Sequence, residues 1–409
     1  MFLTEICQKT YSLELKDDEL FFISSQFENE KVSILFSTRT LVNNLLKQTL
    51  SQQPPFIHLD STFKLIDLGL PIVILSTETI AHNFRPIAFL VAWSESKEQI
   101  SEMLEKFSCF LRQEFNFSFK PKYILSDNSD AIISGCRKAF THEYTHLLCH
   151  FHIMKNIREK TQKNSLKEYK SEIMFGVKVL KNSQTLSFFK NAWKIIRLYW
   201  EEKGVSESFN NSFEQEYINK KVQWHYGASF PGKSRSNNSL ESGNKVLKDF
   251  FNRKAHNIKE FLGKMKDFLR EWSMVEKSSF PLQVELSNKA KKQAENIITN
   301  ASFLESKKTR GFLYCTRKGI EIDELEMALE RYVSRKPLPI NADDLFENWG
   351  YFRTINIIEK TCDCVDFFKY SYCKHVIALM MMTGELEDPS IKEKKKVGRK
   401  PHITKALQR

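Results

Sequence analysis

Phe56-Ile57-His58-Leu59-Asp60-Ser61-Thr62-Phe63-Lys64-Leu65 is the stretch on which the reading of this chain turns. Pro54-Pro55 ends whatever precedes it. Phe56, Ile57 and Leu59 predict a buried strand, and Phe63 and Leu65 continue it. Asp60 stands in the middle. Aspartate is a poor strand former and its charge is costly to bury unpaired, so a carboxylate here asks for a cation, a strong donor or a metal. A turn or capping aspartate is the ordinary alternative. Acids elsewhere in the chain decide between the two.

Downstream of Phe56 the pattern reads β, β, β, α, β, α, β. Leu70 to Ile80 and Pro86 to Trp93 follow the first strand after short polar turns, which predicts antiparallel neighbours. Ser96 caps an amphipathic helix with Ile100, Met103, Leu104, Phe107, Leu111 and Phe115 on one face. Tyr123-Ile124-Leu125-Ser126-Asp127 is a short strand ending in an acid. Asn128-Ser129-Asp130 caps a helix reaching about Phe140, and Leu147-Leu148-Cys149 is another short strand. Residues 153–232 read as helical. In them Leu186, Phe189, Trp193, Ile196 and Trp200 form a core stripe behind a capping Ser183. Leu240, Asn244, Leu247 and Phe251 share one side of a later helix, and Ile258 to Trp272 marks another. Upstream, residues 1–55 are a mixed segment, with strands at Glu19–Ile23 and Val32–Phe36 and a helix from Thr38 to Leu50. It shows no Cys/His cluster.

The 409 residues carry a formal net charge of +12 and are 41% hydrophobic, which suits a globular protein of two or three domains. No run of about 18 apolar residues exists, and no secretory pattern opens the chain, so no membrane partner is expected. The charge is uneven: residues 391–409 are net +7, leaving +5 for the other 390. A basic end on a near-balanced body suggests a polyanion partner or a nuclear address. Three of the eight cysteines lie together at 362–373, which favours a reducing compartment and a metal site over a disulfide framework.

Two later acids join Asp60. Asp127 ends a strand, with Asp130 a competing candidate nearby, and Glu241 opens a helix. Two strand-borne aspartates and a helix-borne glutamate suit a two-metal phosphodiester site, because Mg²⁺ prefers oxygen ligands and paired ions can serve both the attacking and the leaving oxygen. Each acid alone has a plain reading: Asp127 as a cap, Glu241 as a partner of the helix dipole.

The run from about Phe56 to Phe251 resembles the catalytic domain of Mutator-like element (MULE) transposases. The matching residues are His58-Leu59-Asp60-Ser61-Thr62, Leu125-Ser126-Asp127, Cys149-His150-Phe151-His152 and Asn237-Asn238-Ser239-Leu240-Glu241-Ser242-Gly243-Asn244. The resemblance implies an RNase H-like α/β fold with a large helical insertion. It also implies that Asp60, Asp127 and Glu241 bind Mg²⁺ or Mn²⁺ for DNA strand cleavage and transfer. Cys149 and His152 match the family's Cys-x-x-His stretch. Two ligands do not make a tetrahedral site, so packing and metal binding both stay open for them.

Cys362-Asp363-Cys364, an eight-residue loop and Cys373-Lys374-His375 supply a full tetrahedral ligand set for Zn²⁺. Tyr351 to Ile358 reads as a strand before it and Val376 to Met380 as a helix after it. So small a unit needs its metal for stability. The arrangement resembles the SWIM zinc finger, which often follows MULE domains and is linked with DNA or protein contacts. Beyond it, Lys394, Lys395, Lys396, Arg399 and Lys400 lie in a basic run that suits phosphate binding or nuclear import. A solvated tail is the plain alternative.

The expected organisation is an N-terminal mixed segment (1–55), the MULE-type domain (56–255, insertion at about 153–232), a helical connector (256–345), the SWIM-type finger (346–385) and a basic tail (386–409). The expected protein is a nuclear, DDE-type DNA-cutting and strand-transferring enzyme with zinc and Mg²⁺ or Mn²⁺ as cofactors. Expected partners are DNA, proteins at the zinc finger and a second copy of the chain. A domesticated, catalytically inactive DNA-binding regulator and a zinc-dependent protein–protein adaptor are the alternatives.

Overall fold

The structure, a computed structural model, describes residues 7–28, 31–50, 55–79, 82–162, 165–220, 223–233, 235, 238–276, 286, 288–305, 309–317, 329, 341–343, 345 and 352–386. Lys394, Lys395, Lys396, Arg399 and Lys400 lie outside these residues. The chain divides into two compact units. One takes the described residues of Met1–His152 and Ser236–Gln283, the other those of Ile153–Arg235 and Val284–Val397.

The first unit is built on a seven-stranded mixed sheet. Its strands are β1 (Phe21–Glu28), β2 (Lys31–Ser37), β3 (Phe56–Thr62), β4 (Ile72–Glu78), β5 (Phe84–Val91), β6 (Tyr123–Ser126) and β7 (Thr145–Leu148). Their order is β1-β2-β5-β4-β3-β6-β7. β3 pairs antiparallel with β4 and parallel with β6, and β6 pairs parallel with β7. The expected return of β4 and β5 as antiparallel neighbours is observed. β1 and β2 extend the same sheet through β5, so the N-terminal segment belongs to this unit's framework.

Helices cover both faces, and the strands are accordingly apolar on both sides. Alternation along β3 sends Ile57 and Leu59 to one face, where they join Val73, Leu75, Leu104, Phe107 and Ile132. The helices there are Arg39–Leu50, Lys97–Phe115 and Asp130–Ala139. Ser96 caps the second, accepting from the Gln99 N–H at 3.4 Å, and Ser129 caps the third, accepting from the Ile132 N–H at 3.4 Å. On the opposite face Ile34, Phe36, Ile72, Ile74 and Phe89 pack against Leu247, Phe251, Phe261, Met265 and Leu269. These come from the helices Asn238–Phe250 and Ile258–Glu276 and the turn between them. β3 stops at Thr62 rather than running to Leu65. Lys64 turns the chain with φ 71° and Phe63 is 44% exposed.

The second unit holds the helices Lys170–Lys181, Leu186–Glu202 and Glu207–Phe213, followed by a π-helical turn, Glu214–Lys220. Phe189, Trp193, Ile196 and Trp200 are buried as the stripe predicts, but Leu186 is 46% exposed. The cap is Thr185, whose hydroxyl accepts from the Phe188 N–H at 3.1 Å, not Ser183. Ser183 instead donates its hydroxyl to the Val179 carbonyl, which leaves Thr185 as the residue at the helix start. Trp193 and Trp200 sit on Phe213 with ring centroids 5.1 and 5.3 Å away.

The stretch expected to be a helical connector is only partly so. After the helix Asn288–Asn300, β8 (Ala301–Glu305) and β9 (Phe312–Arg317) form a sheet with β10 (Arg353–Asn356) and β11 (Thr361–Cys362), in the order β11-β10-β9-β8. Short strands across a turn, without long alternation, gave no period-2 signal to read. The helical insertion also touches the cysteine-rich end: the Gly232 N–H donates to the Phe368 carbonyl at 2.9 Å.

Candidate metal centres

The parallel register of β3 and β6 places the first two acids. Leu59 lies opposite Ser126, so Asp60 and Asp127 are the next pair along, on strands about 4.8 Å apart. Because side chains alternate, Asp60 shares a face with His58, away from Ile57 and Leu59. That face meets the Asn238–Phe250 helix. There the Asn244 amide donates to Asp60 Oδ2 at 3.1 Å. Glu241 is in the first turn of the same helix, three residues before Asn244, and so on the same side. The helix comes close because Gly243 has no side chain: a Cβ there would stand 2.5 Å from Phe84 Cδ1.

The acids feel one another. Burial, followed by the charges of Asp127, Glu241 and Glu95, pushes the Asp60 carboxyl up to about 7 against the pull of the Ser61 N–H. Asp127 is raised for the same first reason, with Glu95 adding to the shift, and the Ser129 N–H and His152 opposing it. The Ser129 N–H donates to Asp127 Oδ1 at 3.1 Å, while its hydroxyl donates to Glu95 Oε1 at 2.6 Å. Ser129 thus links two carboxylates besides capping its helix. Asp130, the competing candidate, is exposed in that helix's first turn.

Glu95 and Asn244 were not legible as site residues. Glu95 precedes the helix cap Ser96 and carries no spacing signal that ties it to the three acids. Asn244 stood on one helix face and at the end of the Asn237–Asn244 match, with no site role of its own. Its spacing from Glu241 was the available signal.

The donor set suits a hard divalent ion. Asp60, Asp127 and Glu95 offer oxygens, and Asn244 Oδ1 is buried with no hydrogen-bond partner among the described residues. Mg²⁺ and Mn²⁺ take oxygen ligands of these kinds. Such an ion would also offset the burial, and the lesser repulsion, that raise the Asp60 carboxyl.

Cys149 follows β7, and its N–H donates to the Ser126 carbonyl at 2.9 Å. His152 is in the first turn of the helix His150–Lys160. The His152 Nε2 lies 3.7 Å from Glu241 Oε1. Cys149, His152 and Glu241 each bring a ligand atom within 4.8 Å of the other two.

The second unit holds the cysteine cluster. Cys362 lies on β11, Cys364 caps the helix Val365–Tyr370, and Cys373 caps the helix Lys374–Met382, in which His375 is the second residue. One ligand atom from each of Cys362, Cys364, Cys373 and His375 lies within 4.8 Å of all the others, and all four residues are buried. Cys362 Sγ is 3.7 Å from His375 Nδ1. The Cys364 N–H points to Cys362 Sγ and the Val376 N–H to Cys373 Sγ, both at 3.4 Å. Hydrogen bonds from Cys362 and Cys364, then from the backbone of Val376 and His375, pull the Cys373 thiol down to about 4. The same crowding, with burial, pushes Cys362 up. Three thiols this close cannot all ionise without a cation between them. This buried set could hold zinc.

Residues 56–156 match the family model described as the MULE transposase domain. The match takes in Asp60, Asp127, Cys149 and His152, and it supports a transposase-like function. Comparison with curated proteins gives no match. Among the described residues no helix is long and apolar enough to cross a membrane.

Proposed function

We propose that the chain is a DDE-type, MULE-like transposase: a DNA-binding protein that cuts and transfers strands by metal-dependent phosphodiester chemistry. The observation that carries this reading is the neighbouring placement of Asp60, within β3, and Asp127, just past the end of the parallel β6, with Glu241 electrostatically coupled to Asp60. The order β5-β4-β3-β6-β7, three antiparallel strands and then two parallel additions, supports an RNase H-like assignment for the core.

In this reading Asp60 and Asp127 would hold Mg²⁺ or Mn²⁺, and Glu241 would supply a further carboxylate. Bound divalent ions would supply Lewis-acid activation of the attacking oxygen and charge neutralisation at the leaving one. The residues of the chain do the rest. Asn244 fixes the rotamer of Asp60, and Ser129 fixes those of Asp127 and Glu95. Asp60 must lose its proton before it binds a cation, which ties activity to neutral and higher pH. The Cys362/Cys364/Cys373/His375 cluster is read as a SWIM-type zinc module with DNA or protein contacts. The basic run at Lys394, Lys395, Lys396, Arg399 and Lys400 is read as a phosphate-binding arm and nuclear address.

The test is nicking of supercoiled duplex DNA by the zinc-loaded protein with Mn²⁺ or Mg²⁺, beside the Asp60→Asn variant. Metal-dependent nicking by the parent alone supports the reading. Salt-sensitive DNA binding without nicking in either protein points instead to a non-catalytic regulator.

A further inference from the structure

We propose that Cys149, His152 and Glu241 form a second zinc site, distinct in donor chemistry from the Asp60–Asp127 pair, with its fourth position open to water. The sequence offers only a Cys-x-x-His pair, which is two ligands short of a tetrahedron. The fold brings in Glu241, from the helix Asn238–Phe250, as the third. All three ligand atoms lie within 4.8 Å of one another. The His152–Glu241 separation of 3.7 Å is too long for a hydrogen bond. It is slightly longer than the nitrogen–oxygen edge of a zinc tetrahedron, about 3.3–3.5 Å for bonds of ~2.0–2.2 Å, so a small closure would complete the pair.

Cys149 immediately precedes the helix His150–Lys160. Glu241 is in the first turn of its own helix. Cys149 and His152 are three residues apart at a helix start, so both can face one ion. Cys149 is 1% exposed, whereas the His152 and Glu241 side chains are 27% and 32% exposed. The cluster is closed on the sulfur side and partly exposed at His152 and Glu241, although Glu241 Oε1 itself is buried. Three protein ligands with one open position is the pattern of a reactive zinc site, whereas structural zinc sites are closed.

Donor softness separates the two centres. Asp60, Asp127, Glu95 and Asn244 present only oxygen and suit Mg²⁺ or Mn²⁺. A thiolate and an imidazole select Zn²⁺. Glu241 is coupled to Asp60 as well as placed beside His152. Zinc at Cys149 and His152 would therefore fix the third acid in place next to the first two. This inference shares Glu241 with the proposed function, but its test reads metal content and not DNA cleavage.

The experiment is zinc quantification by mass spectrometry on the full-length protein after dialysis against metal-free buffer. Two equivalents per chain are expected in the parent. One equivalent is expected in His152→Ala and in Glu241→Gln, both at half-exposed positions that should leave the core intact by circular dichroism. His152→Cys replaces one zinc ligand by another and should restore the second equivalent. Asp60→Asn should keep both. With Co²⁺ in place of Zn²⁺, the second equivalent should carry a thiolate charge-transfer band that Cys149→Ser removes. One equivalent in the parent that disappears in Cys373→Ser, or two equivalents unchanged in His152→Ala and Glu241→Gln, would overturn the proposal. Absence of DNA nicking with the zinc count intact would count against the proposed function alone.

Discussion

Asn244 donates its side-chain amide to Asp60 Oδ2 at 3.1 Å, joining a helix late in the first unit to β3. Asp60 is 8% exposed, so this donor does work that water does for surface carboxylates. A hydrogen bond to a charged group is worth about 1.5–3 kcal/mol. Asn244→Ala should cost that much in urea denaturation at pH 8, where Asp60 is ionised, and less at pH 5. An equal cost at both values would mean that the amide serves packing and not the charge.

The raised Asp60 carboxyl makes a second prediction about pH. Its ordinary value is 3.8 and its folded value about 7. The folded state therefore holds a proton that the unfolded chain has lost between these values, and stability falls as pH rises through the window. Three pH units correspond to roughly 4 kcal/mol. Metal-free parent protein should melt lower at pH 8 than at pH 5, and Asp60→Asn should remove most of that difference. Mn²⁺ should raise the parent's melting temperature at pH 8 and do little at pH 5, since the ion competes with the proton. Thermal melts of the two proteins with and without Mn²⁺ check both parts.

At Gly243 the helix packs against Phe84, the first residue of β5. A Cβ placed 2.5 Å from Phe84 Cδ1 must displace the ring or the helix. Phe84 is itself held edge-on by Trp272, with centroids 5.5 Å apart, so it has little room to yield. Gly243→Ala should destabilise by about 1–3 kcal/mol despite the better helix propensity of alanine. Adding Phe84→Leu should recover part of the loss, seen as a coupling energy in a double-mutant cycle. Strict additivity would refute the contact.

Removing zinc from the second unit should loosen a defined region. Cys362, Cys364 and Cys373 are part of a small core with Leu313, Ile355, Phe367, Val376 and Leu379. A core of this size depends on its metal. Chelation should speed proteolysis between Arg353 and Met382 by about tenfold or more, equivalent to ~1.4 kcal/mol of local stability. Unchanged cleavage there would show that the sheet β11-β10-β9-β8 holds without the ion.

The sequence was legible where one physical rule dominated. Apolar spacing located the Lys97–Phe115 helix and its Ser96 cap, and the order of strands and helices after Phe56 followed from turn residues and alternation. Ligand chemistry alone singled out Cys362, Cys364, Cys373 and His375, which the fold gathers in one buried cluster. Long-range contacts were not legible. Nothing local shows that Asn244 reaches Asp60, that Glu241 lies beside His152, or that Ser129 ties Glu95 to Asp127. β8 and β9 were missed because five- and six-residue strands between helical stretches leave no lasting period. Ser183 reads as a cap because serine caps helices, and only the backbone shows that the helix starts two residues later, at Thr185.

The most direct test of the central claim, that Asp60 and Asp127 form one divalent-cation site, is Mn²⁺ binding followed by electron paramagnetic resonance at pH 8, with no DNA present. The parent should take up Mn²⁺ at a site that Asp60→Asn and Asp127→Asn each abolish, while the zinc bound at Cys362, Cys364, Cys373 and His375 is unaffected. Equal Mn²⁺ uptake by the parent and both variants would contradict it.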